Sequence, residues 1–183
     1  MTKRALWLTG GLLLAVLLVG SVAEAQQVPS AVSRAGRFVF GAGLGLQGDT
    51  VDDTAFALGV SGDYYLNNNF SIGPLLQFGL TGDLFQLGLT AQAKYTFDLA
   101  GLSAIKPHVE AGIGFIYADL DLPDGRGGDD TSFLIPLGVG LEYRLSPRIS
   151  LDTTLFFNFT DLDVRRGNDE FFLTWLVGVR IPF

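Results

Sequence analysis

Residues 85–97 read Phe85-Gln86-Leu87-Gly88-Leu89-Thr90-Ala91-Gln92-Ala93-Lys94-Tyr95-Thr96-Phe97. Every odd position is apolar, and every even position is polar or glycine. Successive side chains of a β-strand point to opposite faces, so a period of two held over this length specifies a strand with one apolar and one polar face. A helix would return to its apolar face about every three to four residues instead.

The same period recurs on both sides of this stretch. Eight segments carry it, near 36–47, 54–66, 69–81, 84–98, 106–119, 131–145, 148–161 and 170–183. Short connections fall around Asn67-Asn68-Asn69, between Ala100 and Ile105, and at Ser146-Pro147, with a tight turn at Gly82-Asp83. The other connections are longer and acidic, from Gln47 to Asp53, Asp119 to Asp130, and Asp161 to Asp169. The reading is all-β: an eight-stranded antiparallel up-and-down barrel, closed so that no strand edge is left unpaired.

The two faces then decide the solvent. The apolar face carries Phe38, Phe40, Ala42, Leu44 and Leu46 in the first segment, and Phe171, Leu173, Trp175, Val177, Val179, Ile181 and Phe183 in the last. The opposite face carries Arg37, Asp63, Lys94, Glu110, Glu142, Arg144, Asp152 and Arg180, with many glycines between them. The interior of an eight-stranded barrel is just wide enough for side chains, and roughly fifty mostly large apolar residues do not fit there. The apolar face must therefore meet lipid, the transmembrane arrangement of apolar outside and polar inside. Aromatic residues at both ends of the strands, among them Tyr64, Tyr95 and Tyr143 at one end and Phe56, Tyr117 and Phe133 at the other, match the rings such barrels place at the membrane interfaces.

Composition agrees with a membrane barrel and excludes other classes. The chain has 183 residues, 48% of them hydrophobic, with 24 Gly, no Cys and a formal net charge of −7. The acidic balance excludes a nucleic-acid partner. The missing cysteine excludes disulfides, thiolate metal sites and a cysteine nucleophile. Lys3 and Arg4, an apolar run from Ala5 to about Val19, and Ala23-Glu24-Ala25 have the three parts of a secretory signal peptide. Residues 1–25 are accordingly expected to be a signal peptide, 26–35 a short periplasmic segment, and 36–183 the barrel. Removing 1–25 leaves 10 basic and 18 acidic residues.

The segments Lys106-Pro107-His108-Val109-Glu110-Ala111-Gly112-Ile113-Gly114-Phe115 and Leu137-Gly138-Val139-Gly140-Leu141-Glu142-Tyr143-Arg144-Leu145 carry a resemblance. Over about residues 36–183 the chain resembles the small outer-membrane β-barrel proteins of Gram-negative bacteria, the OmpA/OmpX/OmpW-like group. The resemblance implies a monomer in outer-membrane lipid and lipopolysaccharide, inserted by periplasmic chaperones and the barrel-assembly machinery. Gly178, Ile181 and Phe183 look like the C-terminal signal that machinery reads, although Leu176 stands where the signal usually has a polar residue. The peptidoglycan-binding domain of full-length OmpA-type proteins is not expected after Phe183.

Two features of the lumen are candidates for function. The eight inward charges, four of each sign, lie near the short-turn end and read as an ion-pair network plugging it; a gated ion path is the other reading. Nearer the long loops, Leu75, Ile116, Leu134, Phe156, Phe172 and Leu176 stand among glycines. They could line a pocket for an apolar ligand, as in OmpW-like proteins, or the glycines could serve strand bending and close packing. Some barrels of this size edit lipid A with a Ser or His on the outer side, but the one histidine, His108, starts the fifth segment at the opposite end.

The long loops are acidic, thirteen Asp and Glu against Arg126, Arg165 and Arg166. Asp119, Asp121, Asp124 and Asp130 hint at a calcium loop, yet Pro123 takes a ligand position of the EF-hand pattern and no Glu closes it. A solvated acidic rim is the expectation, with Arg165 and Arg166 placed to meet lipopolysaccharide phosphates. The sequence therefore predicts a non-catalytic outer-membrane barrel with a structural or surface-interaction role, needing no cofactor or metal. The alternative is a narrow pore or carrier for small or apolar solutes.

Overall fold

A computed structural model describes residues 33–50, 53–120, 128–164 and 167–183. The expected signal peptide (1–25), most of the segment 26–35 and the middle of the Asp119–Asp130 loop lie outside these residues. Eight strands follow in order: β1 (Phe38–Thr50), β2 (Asp53–Tyr65), β3 (Phe70–Leu80), β4 (Leu84–Thr96), β5 (Ile105–Leu120), β6 (Gly128–Ser146), β7 (Ile149–Val164) and β8 (Gly167–Pro182). Each pairs with its sequence neighbour, and β1 pairs antiparallel with β8 to close the barrel. The Phe183 N–H donates to the Phe38 carbonyl at 2.8 Å and finishes the seam.

The stretch that decides the fold behaves as its alternation demands. In β4, Gln86, Thr90, Gln92, Lys94 and Thr96 are buried inside the barrel, while Phe85 and Tyr95 point out. The inversion holds around the wall. Outward side chains such as Ile113 (68% exposed), Phe40 and Leu44 are open, whereas Asp63 and Arg180 (3% each) are enclosed. A wall with apolar residues outside and charges inside is stable only in lipid, because water would impose the opposite order. The outer rings pair across strands at both ends. Phe38 and Tyr64 lie 4.9 Å apart by centroid, Phe40 and Phe183 5.3 Å, and Phe159 and Phe171 5.4 Å.

Local chemistry sets the short turns. Asn67 Oδ1 accepts from the N–H groups of Asn69 (2.9 Å) and Phe70 (2.8 Å), which fixes the β2–β3 turn. Thr81 Oγ1 does the same for Asp83 and Leu84 at the β3–β4 turn. The β2–β3 ladder runs from Ser61↔Leu75 to Tyr64↔Ile72 across Gly73-Pro74, and β5–β6 from Ala111↔Leu137 to Gly114↔Leu134 across Ile135-Pro136. Both pairings skip a proline, which has no N–H to donate.

One difference from the sequence reading concerns strand ends on the long-loop side. Part of the expected acidic loops is strand: Asp119 pairs with Asp129, Leu120 with Gly128, and Val164 with Gly167. The β5–β6 and β7–β8 hairpins thus run beyond the positions where apolar alternation stops. There the outward positions Asp119, Asp129 and Asp161 are polar and exposed, so the hydrogen-bond ladder continues while the outward apolar period that marked it ends.

Candidate functional site

The polar phase of the strands converges in the half of the lumen nearest the short turns, where alternating charges form a connected series. Arg180 Nη2 donates to Asp63 Oδ2 at 2.5 Å, and Lys94 Nζ lies 4.0 Å from the same oxygen. Lys94 also approaches Glu110 Oε2 at 3.3 Å. Arg180 Nε lies 3.9 Å from Glu142 Oε2. His108 extends the series: Nε2 lies 3.0 Å from Thr154 Oγ1 and 3.6 Å from Glu110, and Nδ1 lies 3.8 Å from Asp152. Thr154 Oγ1 donates to the other oxygen of Asp152 at 3.0 Å. The register explains these meetings, because Lys94 stands opposite Glu110 and Glu142 opposite Asp152.

Six of the eight expected members are brought together and two are not. Arg37 precedes β1 and is exposed at the mouth, and Arg144 is half-buried; neither makes an ion pair among the described residues. The cation that does close the mouth is Arg34, which the sequence reading left outside the barrel. Its guanidinium grips both carboxylate oxygens of Glu142, with Nη1 at 3.1 Å from Oε2 and Nη2 on Oε1. Nη1 also donates to Tyr65 Oη at 3.1 Å, and the guanidinium carbon lies 5.2 Å from the centre of the Tyr65 ring. The chain reaches this position through a turn in which the Arg37 N–H donates to the Arg34 carbonyl at 3.0 Å. Gly36 sits third in that turn with φ 76°, a conformation glycine adopts freely. A glycine one residue before Arg37 was the signal available in the sequence.

A satellite pair was missed as well. Lys106 Nζ meets Asp98 Oδ1 at 2.5 Å, and Asn69 Nδ2 donates to Asp98 Oδ2 at 2.8 Å. The bond from Lys106, followed by that from Asn69, holds the Asp98 carboxyl below the usual carboxylate range.

The other half of the lumen is neutral. Leu75 and Phe156 pack with Ala57 and Leu176, while Ile116, Leu134 and Phe172 pack with Ala118 and Leu162. All six residues of the candidate apolar pocket are buried, and they are divided between two clusters. Amides lie among them: Gln47 donates to Gln86, and Asn158 links Gln77 (3.5 Å) to Thr174 (3.0 Å). These amides share the inward phase with the charges and were legible there. The glycines do not leave free space. A Cβ on Gly45 or Gly73 would overlap a carbonyl oxygen of the adjacent strand, and one on Gly88 would meet Leu134 Cδ2 at 2.7 Å. Between the charged and apolar halves lies a cavity of about 40 Å³, lined by Lys94, Glu110, Asp152, Thr154, Phe156 and Arg180 among others. That is space for a few waters at most. Arg180 Nε and Asp152 Oδ2 have no hydrogen-bond partner there.

At the seam, Gly178 pairs with Gly43, and a Cβ on Gly178 would overlap the Ala42 carbonyl oxygen. Ile181 and Phe183 of the candidate assembly signal are exposed on the outer face. No group of residues able to hold a metal ion occurs among the described residues, which do not include Asp121 and Asp124.

Comparison with known proteins agrees with this geometry. Neisserial surface protein A is similar in structure at 20% identity, with a TM-score of 0.66 over 84% of this chain and 100% of that one. The N-terminal barrel of Pseudomonas aeruginosa OprF gives 15% identity and a TM-score of 0.61 over 83% and 100%. Ail of Yersinia pestis gives 15% and 0.58 over 81% and 99%. No functionally curated protein matches the sequence. The model of the outer membrane protein beta-barrel domain matches residues 12–183. The chain therefore belongs to that family and is a small eight-stranded β-barrel of the bacterial outer membrane.

Proposed function

We propose that the protein is a non-catalytic structural and surface-interacting barrel whose lumen does not carry solutes. The observation that carries this reading is the filled lumen, in which ion pairs at one end and apolar clusters at the other leave about 40 Å³ between them. Organic ligands need pockets of several hundred Å³. The position of His108 supports the non-catalytic part, since its ring is buried among Glu110, Asp152 and Thr154 inside the barrel.

Interaction then falls to the rim and the lipid-facing wall. The rim is acidic, with Asp83, Asp119, Asp129, Asp130, Asp161 and Glu170 among the described residues. Ail of Yersinia pestis was crystallised with the heparin analogue sucrose octasulfate. A polyanion of that kind would be repelled here, so the rim favours cationic partners, or lipopolysaccharide phosphates bridged by divalent ions. Planar-bilayer recording on the refolded protein is the test. Silence is expected. Stable unitary conductance, abolished by Asp152→Ala, would replace this reading with a narrow pore.

A further inference from the structure

We propose that residues 33–35, hinged at Gly36, form a detachable strap that closes the short-turn mouth of the lumen, and that Arg144 takes over Glu142 when the strap leaves. The strap is held at two places of different character. Outside the barrel, Asn68 Oδ1 accepts from Ser33 Oγ (2.9 Å), the Arg34 N–H (2.9 Å) and the Ala35 N–H (3.4 Å). Inside, Arg34 alone reaches the lumen, on Glu142 and over the fully buried Tyr65. Residues 33–35 thus lie against the turn and the mouth by one exposed asparagine and one arginine, and the backbone ladder to Tyr65 begins only beyond them, at the Gly36 N–H (2.8 Å) and the Arg37 carbonyl (3.0 Å). No apolar side chain of the strap is buried.

Detachment by itself would be costly, because it takes the closest cation from a buried carboxylate. Arg144 removes that obstacle. It stands two residues from Glu142 on the same strand and in the same phase, about 7 Å along the chain, within the span of an arginine side chain. It is half-buried and makes no ion pair among the described residues. One carboxylate thus has an arginine on the strap bound to it and a second arginine on the wall within reach of it. Arg180 stays near Glu142 in either arrangement. The exchange keeps Glu142 paired while uncovering Tyr65 and the residues behind it. It leaves the inner pairs in place, so it does not depend on whether the barrel conducts.

The chain has no cysteine, so a single reporter thiol can read the mouth. Ser71 is fully buried and faces inward directly opposite Tyr65 in the β2–β3 register. Ser71→Cys in the refolded protein is treated with a small water-soluble thiol reagent, and folding of each variant is verified by its shifted position on an unboiled gel. Adding Asn68→Ala, which loosens the strap without touching the lumen, should raise the labelling rate about tenfold through loss of three hydrogen bonds. Adding Arg144→Ala to that pair should return the rate towards its starting value, because release would then leave Glu142 with only the longer contact to Arg180 at 3.9 Å. An unchanged rate in folded Asn68→Ala protein would overturn the strap as a closure. A raised rate that survives Arg144→Ala would overturn the exchange.

Discussion

The two halves of the lumen solve one problem, filling a narrow space, with opposite chemistry. Near the short turns the space is filled by Asp63, Lys94, Glu110, Glu142 and Arg180, each needing the next. Towards the long loops it is filled by Ile116, Leu134, Phe156 and Phe172, with neutral amides between them. Loss of an apolar member leaves a void, whose cost depends on how far neighbours collapse. Loss of a charged member leaves a bare charge in a low dielectric, and no collapse relieves that. The charged half should therefore be the more brittle.

The largest expected effect follows from that difference. Arg180→Met leaves Asp63 with Lys94 at 4.0 Å as its nearest cation and a long bond from the Ser71 hydroxyl at 3.4 Å, and should lower unfolding stability by about 3–5 kcal/mol. Urea unfolding of the refolded protein, followed by the gel shift, measures it. Pairing the change with Asp63→Leu should recover most of the loss, since an apolar pair replaces an ionic one. Leu134→Ala in the neutral half should cost about 2–4 kcal/mol. Here the repair is different: Gly88→Ala, which alone would press on Leu134 Cδ2, should restore part of the stability when Leu134 is already alanine. A charged half that tolerates Arg180→Met better than the neutral half tolerates Leu134→Ala would break the comparison.

What the sequence made legible follows the lipid. Between the aromatic rings, alternation forces the assignment of every strand, and the Phe85–Phe97 stretch alone fixes the inward phase of Lys94. The partners of Lys94 could be narrowed to carboxylates but not chosen, since register comes from turns and not from the period. Legibility fails at both water boundaries. Above the membrane, Leu120, Gly128 and Asp129 are paired strand residues that read as loop, because acidic residues replace the outward apolar ones there. Below it, Arg37 occupies the inward phase in the sequence, but the barrel wall ends at Phe38 and leaves it outside. Arg34 falls before the first strand and enters the lumen through the Gly36 turn, which no strand period encodes.

Arg34 sharpens the comparison by being a charged member that can be replaced. Arg34→Ala should cost about 1–2 kcal/mol, less than Arg180→Met, even though it breaks a two-point grip on Glu142. Arg180 remains beside Glu142 at 3.9 Å, and water enters at the mouth. A loss equal to that of Arg180→Met would show that depth in the lumen does not grade the network.

The smallest effect belongs to the charged pair that lies outside the lumen. Asp98 joins Lys106 and Asn69 at the β4–β5 turn, and its side chain is 59% exposed. Solvent screens such a pair, so Asp98→Asn should cost no more than a few tenths of a kcal/mol, roughly the lower end for surface ion pairs. Its signature is the pH dependence. The carboxyl is held below the usual range in the folded protein, first by Lys106 and then by Asn69. The unfolded chain therefore binds the proton more readily, and the contribution of Asp98 is complete above the ordinary aspartate value near 4. It fades as the pH falls through the lowered folded value. Wild-type and Asp98→Asn stabilities, measured by urea unfolding from pH 6 downwards, should accordingly differ slightly at pH 6 and converge below about pH 4. Curves for wild type and Asp98→Asn that diverge on acidification would place the stabilising proton elsewhere.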